Sequence, residues 1–78
     1  MELFVKDPST GALLRFEARP ERLGGDHGFH IINAMGNRFF IANRSGVWRV
    51  VDGHHVEPEL LTNIGLALEG RPLKEQLP

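Results

Sequence analysis

The chain has 78 residues, 41% of them hydrophobic, a formal net charge of −1 and no cysteine. That length holds one domain, and that hydrophobic content excludes a disordered chain. The missing cysteine excludes disulfides, thiol catalysis and cysteine-based zinc sites. The near-neutral charge gives no long-range pull toward nucleic acid or anionic lipid.

The first residues, Met1-Glu2-Leu3-Phe4-Val5-Lys6-Asp7, lack the basic and apolar regions of a signal peptide. No stretch reaches the ~20 apolar residues that cross a bilayer, so the expected placement is cytoplasmic, without membrane. Glu2 to Asp7 alternates as a strand, and Asp7-Pro8-Ser9-Thr10-Gly11 reads as a hairpin turn. Ala12 to Ala18 is a second strand, stopped by Arg19-Pro20. The stretch from Arg19 to Gly28, with a proline and three glycines, reads as a long exposed loop, a plausible contact region.

Phe29 to Asn33 is the third strand, turned by Gly36-Asn37 into the fourth, Arg38 to Asn43. Asn43-Arg44-Ser45-Gly46 suggests a bulged hairpin into the fifth, Val47 to Asp52. The period then changes. Leu60, Leu61, Ile64, Ala67 and Leu68 recur at helical spacing over Pro58 to Glu69. Pro58 suits the first helical position, and Gly70 followed by Pro72 ends the helix. Short strands joined by brief turns predict antiparallel neighbours. The fold class is therefore α+β: a five-stranded antiparallel β-meander, with barrel-like curling as the alternative closure, packed by one C-terminal α-helix. Residues 1–70 form the domain and 71–78 a loosely held tail.

Alternation sorts the strand residues onto two faces. Leu3, Val5, Leu14, Phe16, Phe29, Ile31, Phe39, Ile41, Trp48 and Val50 fall on an almost purely apolar face, to be roofed by the helix through Leu61, Ile64 and Leu68. The second face mixes Phe4, Leu13, Ile32, Phe40, Val47 and Val51 with Lys6, Arg15, Arg38 and Arg49. One short helix covers one face, so the second is the candidate binding surface, with Phe4, Arg15, Ile32, Arg38, Phe40 and Arg49 as its residues. The ordinary alternative is a solvated face whose apolar groups are scattered singly.

Chemistry is sparse. His27, His30, His54 and His55, with nearby Asp and Glu, are the only candidate metal ligands, and no spaced Cys/His or H-E-x-x-H pattern accompanies them. Ser9 and Ser45 sit in turns without a nucleophile context, and Gly24-Gly25-Asp26-His27-Gly28 precedes a strand rather than a helix, unlike a phosphate loop. The expected function is a small non-enzymatic interaction module without cofactor. It self-associates or binds a protein partner through the second face or an edge strand. The alternatives are a sheet-surface binder of nucleic acid or an anionic ligand, less favoured for want of net positive charge, and a histidine-based metal or hydrolase site.

Overall fold

The computed structural model describes residues 1–78. Five strands run in sheet order β1-β2-β3-β4-β5, every neighbour antiparallel: β1 Glu2–Lys6, β2 Leu13–Leu23, β3 Asp26–Ile32, β4 Arg38–Arg44 and β5 Val47–Val50. The helix α1, Pro58–Leu68, lies against both outermost strands, β1 and β5, so the sheet curls into a half-barrel around it. A single 3₁₀ turn, Leu73–Glu75, follows. The expected α+β meander and its curling are both present.

Two connections differ from the sequence reading, and β5 ends at Val50 rather than Asp52. The stretch expected as a long loop is a hairpin: Arg19 to Leu23 extends β2, Asp26 to Gly28 opens β3, and Leu23 pairs with Asp26 across Gly24-Gly25. Pro20 does not stop β2, and the reason is directional. Ala18 exchanges hydrogen bonds with Met1 (Ala18 N to Met1 O 2.7 Å, Met1 N to Ala18 O 2.9 Å), so even-numbered residues of β2 point toward the β1 side. The Met1–Ala18 pair is the last rung of the β1–β2 ladder, so the missing N–H of Pro20 breaks no bond in it. The β4–β5 connection is a plain two-residue loop rather than a bulge. Arg44 pairs with Val47, and Ser45 and Gly46 both take positive φ (55° and 84°), as a type I′ turn requires.

With no bulge, the two-face alternation holds along all five strands. The inner face and helix supply the core: Leu3, Val5, Phe16, Ala18, Ile31, Ile41 and Ile64 are buried. Leu14, Phe29, Phe39, Trp48, Val50, Leu60, Leu61, Ala67 and Leu68 pack around them. The helix begins at Pro58 and ends in a Schellman motif: Gly70 N donates to Ala67 O and Arg71 N to Leu66 O, both at 3.0 Å.

Gly65 sets how closely α1 approaches β5. Its α-carbon faces the Trp48 indole, and a Cβ there would stand 2.6 Å from Nε1 and 2.9 Å from Cγ. Trp48 Nε1 donates to Glu69 Oε2 at 3.1 Å, which pins the ring on the helix. Gly65→Ala should therefore destabilise by about 2 kcal/mol despite the better helix propensity of alanine. The check is chemical denaturation together with a red shift of tryptophan emission as the indole is displaced.

Candidate functional site

The outer face of the sheet carries the residues that alternation nominated, but not as one surface. Phe4 (46% exposed) and Leu13 (59%) lie on β1 and β2, whereas Val47 (48%) lies on β5, with two strands between. Ile32 is half-buried. Phe40 is fully buried, and this corrects its place in the binding set. The ring of His30 meets it edge-on, centroids 5.1 Å apart, and the small residues Gly28 and Ala42 let the phenyl ring sink between them. It offers no surface for a ligand to stack on.

Three of the six cations on that face are paired internally. Arg15 pairs with Glu2, Arg19 with Glu17 at 3.0 Å, and Arg44 makes two hydrogen bonds to Asp26 at 3.2 and 2.6 Å. The Arg44 hydrogen bonds hold the Asp26 carboxyl below its usual range and raise the guanidinium in turn. Arg38 and Arg49 are exposed and form no ion pair.

The four histidines are dispersed, each on its own partner. Arg22 Nη2 donates to His27 Nε2 at 2.8 Å, and His30 bonds Glu21. His54 pairs with Asp52 at 2.9 Å and His55 with Glu57 at 3.3 Å. Nowhere do three His, Asp or Glu side chains converge as a metal would need. Asp52 has a structural task. Its Oδ2 accepts from Phe40 N at 2.8 Å and closes the β4–β5 ladder. Burial pushes this carboxyl up, but the hydrogen bonds from the His54 side chain and from the His54 and Phe40 amides outweigh it and leave it lowered.

The two edges of the half-barrel are treated differently. In the C-terminal segment 71–78, Gln76 and Leu77 are tied down beside the outer edge of β1. Gln76 is buried; its Oε1 accepts from Lys6 N at 2.6 Å and its Nε2 donates to Phe4 O at 3.3 Å. Fully buried Asn63 of α1 fastens the segment. Its Nδ2 donates to Lys6 O (2.9 Å) and Leu77 O (3.1 Å), while its Oδ1 accepts from Leu77 N (2.7 Å). Side-chain amides thus replace a neighbouring strand.

The outer edge of β5 has no such cover. Val51 N donates to Phe40 O at 3.0 Å, so alternation turns the peptide groups of Val47, Arg49 and Val51 toward β4 and those of Trp48 and Val50 outward. No protein group bonds to the outward pair. They face a groove of about 670 Å³ between β5, the 53–57 connection and α1, floored by Trp48, Val50, Val56, Leu61 and Leu66. Alternation places Arg49 on the outer face, where it is exposed, but nothing in the sequence pattern says which edge stays free.

No family model, no curated protein and no solved structure matches this chain. No helix is long and apolar enough to cross a membrane, which says nothing of crossing by strands.

Proposed function

We propose that the protein is a non-enzymatic interaction module that takes up an extended segment of a protein partner as a sixth strand along β5. One observation carries this reading: one edge of the sheet is sealed by buried amides, and the other presents two unpaired peptide units beside a groove with apolar side chains on its floor and polar ones around them. Unpaired edges template strand addition, and proteins that do not use an edge commonly cover it. In β-augmentation, main-chain hydrogen bonds supply affinity, and pockets for alternate side chains supply selectivity. The groove floor supplies such pockets.

Binding of single-stranded nucleic acid on the outer face has less support. Its aromatic Phe40 is buried, and Arg15 is neutralised by Glu2. That leaves Phe4 as the one exposed aromatic residue among those nominated, whereas such platforms stack successive bases.

The test is selection of peptides from a random display library on the immobilised full chain, followed by amide exchange. Trp48 and Val50 amides should exchange fast in the free protein and slowly with a selected peptide bound. Val50→Pro removes one outward donor without touching the β4 ladder and should abolish that binding. Selected peptides that bind Val50→Pro unchanged, or protect no β5 amide, would overturn the reading.

A further inference from the structure

Resting on strand docking at β5, we infer that the docked segment is acidic at one defined position: apolar residues alternate along it, and a carboxylate side chain lies opposite Arg49. An added strand continues the alternation of the sheet. Its residues opposite Trp48 and Val50 point into the groove, toward Leu61 and Leu66, and must be apolar. Its residue opposite Arg49 lies on the outer face. There Arg49 has Ala42 as its cross-strand neighbour on β4, which offers it no carboxylate. Arg15, Arg19 and Arg44 each have an acidic partner, and Arg49, on the outermost strand, has none.

The groove itself adds to the bias. Arg49 is the one Lys or Arg in its lining, and its single carboxylate, Glu69, is engaged by the Trp48 indole N–H. A second copy of this chain is a poor occupant for the same reason. The two-fold antiparallel pairing that uses both outward residues sets Trp48 against Val50 of the other copy. That register places the two Arg49 side chains directly opposite each other, and like charges so placed are destabilising.

Three synthetic peptides of alternating valine and threonine, differing only in a central Glu, Gln or Lys, test this with the full chain. Affinity is read from the shifts of the Trp48 and Val50 amides. The Glu peptide should bind about tenfold more tightly than the Lys peptide, a gap that narrows as salt is raised. Arg49→Glu, at an exposed position, should invert the order. Equal affinities for all three peptides, with the β5 amides still shifting, overturn the carboxylate assignment and leave strand docking standing. A preference for the Lys peptide overturns it likewise. If no peptide moves the β5 amides, strand docking itself falls, and the assignment with it.

Discussion

Gly28→Ala should cost about 3 kcal/mol or more, a large share of the roughly 4–12 kcal/mol expected for a chain of this size. Gly28 lies on the outer face of β3, paired with Ala42. A Cβ there would collide with the backbone oxygen of Ile41 and stand 3.0 Å from both the Ile41 carbonyl carbon and Phe40 Cε1. The carbonyl belongs to the neighbouring strand, so no side-chain rotation relieves the clash. Either β3 and β4 separate or the buried ring of Phe40 tilts outward. Gly65→Ala is milder because its obstacle is a side chain, the Trp48 indole, which can shift at the cost of its hydrogen bond to Glu69, rather than a strand backbone. Gly25→Ala is the control: it sits in the β2–β3 hairpin loop without a positive φ, and nothing stands within 4 Å of its Cβ. Urea unfolding of the three variants should rank Gly28→Ala below Gly65→Ala, with Gly25→Ala near the parent chain. A parent-like midpoint for Gly28→Ala would refute the account of how Phe40 is buried.

The features legible in the sequence are those set by neighbours along the chain. The helix followed from the spacing of Leu60, Leu61, Ile64, Ala67 and Leu68 between Pro58 and Gly70, all local signals. The inner face followed from alternation, which holds because no bulge interrupts it. The features that escaped depend on which side of a strand is occupied. Whether Pro20 ends β2 turns on the bonds between Met1 and Ala18, which close the β1–β2 ladder before Pro20 is reached. Period two places Phe40 on the outer face but carries no information about depth. The available clue was small residues at positions 28 and 42 on the same face. Which edge stays open was hidden for the same reason. The groups that seal β1 come from Asn63 and Gln76, far along the chain, and an isolated amide side chain reads as ordinary surface.

Asn63→Asp should destabilise by about 3 kcal/mol at neutral pH although the side chains are almost the same shape. The amide nitrogen of Asn63 donates to two carbonyl oxygens, Lys6 O and Leu77 O. An aspartate would turn a carboxylate oxygen toward both at a site with no solvent exposure. The introduced carboxyl would be buried without a cation, so its pKa would rise in the folded state. The penalty is therefore full above that raised value, and it diminishes as acid protonates the group and restores a donor. Gln76→Ala removes the other half of the seal, and its loss should be smaller, because the peptide groups of Phe4 and Lys6 can then turn to water. Asn63 and Gln76 hold the same tail on the same strand, so the double variant should lose less than the sum of the singles, by roughly 1 kcal/mol. Either single change should expose the β1 edge and make the chain associate at high concentration, read as a rising mass in light scattering. Additive losses with a strictly monomeric double variant would mean that the tail does not close that edge, and the contrast between edges would lose its meaning.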